Sequence, residues 1–176
     1  MSIKRLAIDG YGQLELNQVA FRRDGRIEAQ CKIDPALTED YVENGMLLAV
    51  DKVAGTVGYP GSGSSLIGLH YSAETLYDER KQGLKYFKLD KNGFLPRIGY
   101  LAVGDRFTTN CLAYDDDEFD DDNAVKAATG TLYGVPCANG AIKITATVGN
   151  GVCLQVVKKT TMPDGQFAVK FVVIKA

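Results

Sequence analysis

Apolar and polar residues alternate with a period of two along much of this chain. Turn dipeptides cut the alternating stretches apart. Leu14 and Leu16, then Ile27, Ala29, Cys31 and Ile33, each sit between polar neighbours. That spacing sends successive side chains to opposite faces, the mark of half-buried strands. Asn-Gly occurs at 44–45, 92–93, 139–140 and 150–151, and Asp-Gly at 9–10, 24–25 and 164–165. Asn, Asp and Gly accept positive φ at little steric cost, as the primed hairpin turns require. The chain therefore reads as a series of hairpins.

Three hairpins are predicted. The first runs out through 13–21, turns at Arg22-Arg23-Asp24-Gly25 and returns through 26–33. The second runs through 141–148, turns at Gly149-Asn150-Gly151 and returns through 152–159. The third turns at Met162-Pro163-Asp164-Gly165, where Pro presets the first turn residue and Gly takes the last. Its return strand, 166–174, is apolar on both faces near its end, which predicts a central position. Further strands are predicted around 46–57, 65–71, 85–89, 98–103 and 106–112. One short helix is predicted over Ala73–Gln82, with Ser72 as N-cap and Gly83 past its end. No βαβ alternation and no fixed-period repeat is visible. The expected fold is all-β, an antiparallel β-barrel or sandwich over 34–176 with at most one short helix.

Residues 1–33 stand apart. Their predicted hairpin is rich in arginine, and a polar stretch at 34–40 follows it. An isolated two-stranded hairpin is marginal in water. It has to pack on its own barrel or on a neighbouring molecule, so the segment is either a docking arm or part of the barrel sheet.

Composition narrows the class. An apolar fraction of 45% with 24% charged residues is that of a globular protein, not a disordered one. No apolar run approaches the roughly 20 residues that span a bilayer. Met1 to Asp9 lacks the long apolar centre of a secretory signal, so synthesis and folding in a cytoplasm are expected. Cys31, Cys111, Cys137 and Cys153 form no C-x-x-C pair and lie in strand-like apolar contexts. They read as small buried hydrophobes, without zinc-ribbon or redox spacing and without disulfides. No cofactor is expected.

Charge changes the picture more. The chain holds 20 basic and 22 acidic residues, a net of −2. Seven of the acids, Asp115, Asp116, Asp117, Glu118, Asp120, Asp121 and Asp122, fall in one eight-residue stretch. Outside it 20 basic residues face 15 acidic ones, a balance of +5. Contiguous carboxylates without an intervening Gly do not make an EF-hand. The run reads as a solvated loop, as an electrostatic contact for a basic neighbour, or as a Ca²⁺ site. Since the body is basic, the neighbour could be a second copy. Arg22, Arg23 and Arg26 are the corresponding basic candidates for an interface.

Catalytic constellations are hard to assemble. His70 is the single histidine and there is no tryptophan. A Ser–His–acid triad would need this His, but nothing in the sequence nominates its partners. The loop Gly58 to Ser65 lacks the Gly-Lys-Ser/Thr ending of a phosphate cradle and the G-x-S-x-G of a nucleophile elbow. Tyr71, Tyr77 and Tyr86 could line a sugar-binding surface or pack in the core. Scattered basic residues and the acidic run argue against nucleic acid, and nothing suggests a membrane.

Three stretches carry a resemblance: 42–51 (VENGMLLAVD), 102–110 (AVGDRFTTN) and 161–171 (TMPDGQFAVKF). They cover 30 of the 176 residues. With the hairpin punctuation and the few catalytic residue types, they resemble the β-domains of tailed-bacteriophage virion proteins, in particular capsid decoration, minor capsid or head-fibre base proteins. The resemblance implies a non-enzymatic protein of the virion, made in the host cytoplasm. It would bind the major capsid protein or other virion subunits as a homo-oligomer or in many copies on a lattice. It transfers no individual residue. The alternatives are a tail-tube or baseplate protein, or a carbohydrate- or Ca-binding β-sandwich module.

Overall fold

A computed structural model describes residues 2–61, 64, 66–74 and 83–176. In chain order the strands are β1 (Ile3–Arg5), β2 (Leu14–Gln18), β3 (Ile27–Glu28), β4 (Lys32–Ile33), β5 (Tyr41–Val42), β6 (Leu47–Asp51), β7 (Thr56–Gly58) and β8 (Ile67–His70). They continue as β9 (Leu89–Asp90), β10 (Ile98–Gly99), β11 (Arg106–Thr109), β12 (Leu112–Asp115), β13 (Tyr133–Pro136), β14 (Ile142–Thr145), β15 (Cys153–Thr161) and β16 (Phe167–Lys175). The helices α1 (Ala20–Asp24) and α2 (Asp122–Ala127) are one to two turns each. A 3₁₀ turn at Leu84–Tyr86 precedes β9.

The strands form an eight-stranded sheet, β1-β12-β14-β13-β15-β16-β11-β2, a six-stranded sheet, β3-β10-β8-β6-β7-β4, and a small β5-β9 ribbon. Pairing is antiparallel except for β12 with β14 and β4 with β7. The fold is all-β, as the alternation predicts, and it is a sandwich rather than a closed barrel. The large sheet ends at β1 and β2. Its second strand, β12, and its seventh, β11, are nonetheless one run of chain, interrupted only by Asn110 and Cys111. Residues 106–115 thus contribute to both ends of the sheet. Residues 3–18 lie antiparallel to that run, with Arg5 opposite Ala113 and Leu14 opposite Thr109. The surplus residues between them loop out and are held at their base by Asn110, whose side chain accepts from the Gln13 amide at 2.7 Å.

The first predicted hairpin does not form. β2 pairs with β11, β3 with β10 and β4 with β7, so the strands of 1–33 are shared between both sheets and make no two-stranded arm. The residues that read as its turn are a helix end. Gly25 sits at φ +68 and its amide donates back to the Phe21 carbonyl. That one helical turn rotates Phe21 into the core at 0% exposure, against Tyr71 at a ring distance of 5.0 Å. Arg22 and Arg23 face water.

Both strands of the second predicted hairpin exist, but β13 lies between them. The actual hairpin joins β13 to β14 through Asn139-Gly140. β13 escapes notice because Tyr-Gly-Val-Pro does not alternate and contains two strand-breaking residues. Its glycine is needed there: a Cβ on Gly134 would approach Ile142 to 2.6 Å and Phe171 to 2.8 Å. The third hairpin forms as predicted, from Thr161 opposite Phe167 to Cys153 opposite Lys175. β16 lies between β15 and β11, away from both sheet ends.

The turns differ from the primed type. No described residue other than glycine has positive φ, and five of the seven Asn/Asp-Gly pairs place only their glycine there. Two short helices stand where at most one was expected, and the helix predicted at Ala73–Gln82 falls mostly outside the described residues. α2 is secured at both ends. Asp121 accepts from the Ala124 amide at 2.7 Å, and the Lys159 ammonium reaches the carbonyls of Val125, Lys126 and Ala128 at 2.6–2.9 Å. Val125, 1% exposed, then closes one end of the core. β6 is buried on both faces, giving Leu47 to one apolar cluster and Leu48 to the other.

Phe21→Ala should lower the unfolding free energy by about 3–5 kcal/mol, measured by denaturant melts, because the ring leaves a cavity between the sheets. A loss under about 1 kcal/mol would mean that α1 does not hold the sheets together.

Candidate functional site

The acidic run is ordered. Asp115 ends β12, buried, with its carboxylate 3.9 Å from the Lys143 ammonium. Asp116 accepts from the Ser2 amide at 2.8 Å and lies 3.6 Å from Lys4. The Ser2 amide and the Lys4 charge hold its carboxyl below the usual carboxylate range. Glu118 accepts from the Thr145 hydroxyl at 3.1 Å and the Ala146 amide at 2.5 Å. Asp121 caps α2, and Asp122 accepts from the Ala7 amide at 2.8 Å. Five of the seven carboxylates are thus distributed over the neighbourhoods of β1 and β14 and a helix start. Asp117 and Asp120 project at the exposed tip.

Ligand atoms of Asp115, Asp116 and Asp117 lie within 4.8 Å of one another, close enough to surround a cation. Lys143 and Lys4 already stand against two of the three. A Ca²⁺ ion would have to displace them.

The arginines are elsewhere. Arg22 meets Glu74 at 3.0 Å and Arg23 meets Asp24 at 2.8 Å, both in solvent. Exposed ion pairs of this kind contribute about 0–1 kcal/mol. Arg26 is exposed beyond the helix end. Among the described residues no ion pair joins these arginines to the acidic run.

Sequence reasoning missed the most elaborate polar cluster. Glu43, 1% exposed, lies in the interior, and Arg5 of β1 grips both its oxygens, with Nη1 2.6 Å from Oε1. The Gly12 amide donates to the same carboxylate. The Glu43 carbonyl meets Nδ1 of His70 at 2.7 Å, and His70 Nε2 meets the Ser72 hydroxyl at 2.7 Å. Since a carbonyl can only accept, the proton sits on Nδ1 and Nε2 accepts from Ser72. Ser72 also accepts from the Arg97 amide at 2.8 Å. Burial pushes the His70 pKa down to about 4. Cys111, under Arg5, is pushed up to about 12 by burial and stays a thiol at neutral pH. The four cysteines are free and buried, as their apolar contexts predict. The Ser72–His70 contact has the look of half a triad. Its serine is already bonded on both sides, and its imidazole is held by a backbone carbonyl instead of an acid, so the geometry fastens β8 to the 43–46 turn. A lone charged residue at 43, beside Asn44-Gly45, carried no periodic signal by which to find this cluster.

The tyrosines do not gather into one surface. Tyr71 is core, Tyr86 is exposed with Lys85 over its ring at 5.2 Å, and Tyr77 lies outside the described residues. The loop from Gly58 is described only in part; Gly58, Tyr59 and Ser64 line a cavity of about 540 Å³ with β6 and β7.

Large apolar side chains are exposed at two loop tips. Val53, between β6 and β7, is 100% exposed, and Phe94, between β9 and β10, is 89% exposed. Lys32 of β4 connects them: its amide donates to Gly55 at 2.9 Å, and it lines a cleft of about 350 Å³ with Ile33, Phe94 and Leu95. β4 is an end strand of its sheet. Among the described residues no helix is long and apolar enough to cross a membrane.

Compared with models of protein families, with curated proteins and with solved structures, the chain matches none.

Two outcomes follow from this chemistry. His70 stays neutral when folded down to about 4 but titrates near 6.5 when unfolded. The unfolded chain therefore binds the extra proton first, and stability should fall by about 3 kcal/mol as pH drops through that window. His70→Gln should flatten that part of the profile in melts taken from pH 7 to pH 4; an unchanged slope would refute the assignment. Adding about 1 mM Ca²⁺ should leave the melting temperature unmoved, since lysines occupy the carboxylates. A rise in melting temperature would favour a calcium-binding module.

Proposed function

We propose that this chain is a non-enzymatic structural protein of a phage virion that decorates or cements a capsid, with the major capsid protein as its partner. The sequence resemblance supplies the class. The observation that carries the reading is the pair of apolar tips, Val53 and Phe94–Leu95, at the Lys32 end of the sheet's end strand β4. Large apolar groups held in solvent on a β-body mark a surface meant for another protein. Phe94 sets on that surface an aromatic side chain, a type enriched at interfaces. Lys32 keeps the edge from pairing indiscriminately with other strands while leaving the tips free. A lattice-binding protein needs little more, since it stabilises the shell by preferring assembled subunits to free ones.

The reading no longer rests on a removable N-terminal arm. Residues 1–33 supply buried Leu6, Leu14, Phe21 and Ile33, so deleting them removes core.

Phe94→Ala combined with Leu95→Ala should reduce co-sedimentation with purified capsids by about tenfold or more at an unchanged melting temperature. Undiminished attachment would remove the tips from the interface. Absence of the wild-type protein from capsids by electron microscopy would reject the decoration reading altogether.

A further inference from the structure

A cleft of about 400 Å³ opens between β1, the segment leading into β5 and the turn that joins β13 to β14. Its size is that of a small-molecule site, which spans about 300–1,000 Å³. Ile3 and Met46 give it apolar wall, and Arg5, Glu39, Tyr59 and Asn139 give it polar groups. Three donors on that wall lack an acceptor. Arg5 Nε and the Tyr59 hydroxyl are both buried and have no hydrogen-bond partner. Asn139 uses its Oδ1 on the Ala141 amide at 3.1 Å and the Cys137 thiol at 2.9 Å, and among the described residues its Nδ2 has no partner. Buried polar groups are seldom left this way, so two of them on one cleft wall call for an explanation.

These donors are held in place. The two bonds from Arg5 to Glu43 fix the guanidinium, and with it the direction of Nε. Tyr59 is seated by the turn. Gly140 sits at φ +77, and a Cβ there would come within 3.0 Å of the Tyr59 ring. The Asn139-Gly140 pair thus forms part of the wall through its first residue and makes room for the tyrosine through its second.

Charge narrows what the cleft can take. The Arg5 charge is already answered by Glu43. Glu39 is exposed at the rim, and among the described residues it has no ion pair. Burial pushes the Tyr59 hydroxyl up from its ordinary pKa, and the charges of Glu39 and Glu43 push it further. That negative field opposes an anion, while the unmet donors oppose a cation. A neutral ligand remains, and its groups must accept from the donors and give to Glu39. A hydroxyl does both. Tyr59 also borders a cavity of about 540 Å³ lined by the carboxylates of Asp34 and Asp51, and one of about 320 Å³ beside Thr38. Cavities that meet at one tyrosine, with further acceptors along them, suit a ligand of several hydroxyl-bearing rings.

We propose that the cleft at Tyr59 binds a neutral saccharide, with Arg5 Nε, the Tyr59 hydroxyl and Asn139 Nδ2 donating to its oxygens and Glu39 accepting from its hydroxyls. Ile3 and Met46 meet the apolar edge of the sugar ring. The site does not depend on the capsid reading, which rests on Val53 and Phe94–Leu95.

Titrations of the isotope-labelled protein, followed by amide resonances, test it. The probes are glucose, galactose, mannose, N-acetylglucosamine, cellobiose and diacetylchitobiose. At least one should shift the resonances of residues 38–41, 59 and 138–140, with a Kd of about 1–10 mM for a single ring. Tyr59→Phe removes only the hydroxyl and should weaken that binding about tenfold. Its melting temperature should hold or rise, because an unpaired buried group is gone; a merely structural hydroxyl would lower it. Should Tyr59→Phe disturb the packing, Glu39→Ala at the exposed rim decides, with a weakening of about threefold or more expected. Sodium phosphate, L-lysine and N-acetyl-trialanine amide should leave the same resonances unmoved. Silence towards every saccharide at about 100 mM, full binding by a folded variant, or a response to phosphate, lysine or the peptide in place of saccharide would each overturn the proposal.

Discussion

Glu43 carries a carboxylate to a place where water does not reach, and an ion there is tolerable only with its charge matched and its oxygens bonded. Much of the central architecture answers that demand. Arg5 comes from β1 at one end of the large sheet, and the Gly12 amide comes from the loop after it. His70 reaches the Glu43 backbone from the six-stranded sheet. Residue 43 thereby ties both sheets to the N-terminal segment, its carboxylate holding Arg5 and Gly12 and its carbonyl holding His70. Removing either partner of such a pair strands the other, which is worth about 3–5 kcal/mol. Position 12 has no room for a side chain: a Cβ on Gly12 would approach the Asn44 carbonyl to 2.5 Å.

The strands were legible where their pairing was local. β15 and β16 are joined by a four-residue turn whose residues state their own geometry, and that hairpin could be read off directly. Where pairing is distant, the alternation shows that a strand exists but not its neighbour. β14 and β15 were both visible, while β13 between them was not, because Gly134 answers to the bulk of Ile142 and Phe171 and not to a local pattern. The error at 22–25 has a sharper cause. A glycine at positive φ ends a helix by the same freedom that lets it close a hairpin, and Gly25 could be read either way until Phe21 found its cavity.

The charge segregation was also visible in sequence, but its meaning was not. A run of acids reads as a repulsive, solvated loop because composition contains no information about donors. The donors are the amides of Ser2, Ala7, Ala124 and Ala146, which have no sequence signature. Conversely, the repulsion between Lys158 and Lys170 appears only once register is known, since twelve positions separate them in the chain.

The Lys159 ammonium has a bearing on the order in which the chain acquires its shape. α2 has six residues, too few to persist alone in water, and its last carbonyls are satisfied by a side chain more than thirty positions downstream. On a ribosome the helix and the acidic turn that leads into it must wait until β15 has emerged and docked. The acidic turn is therefore among the last parts to take form. A nascent chain does not present it in finished shape to its neighbours before its own sheet is built.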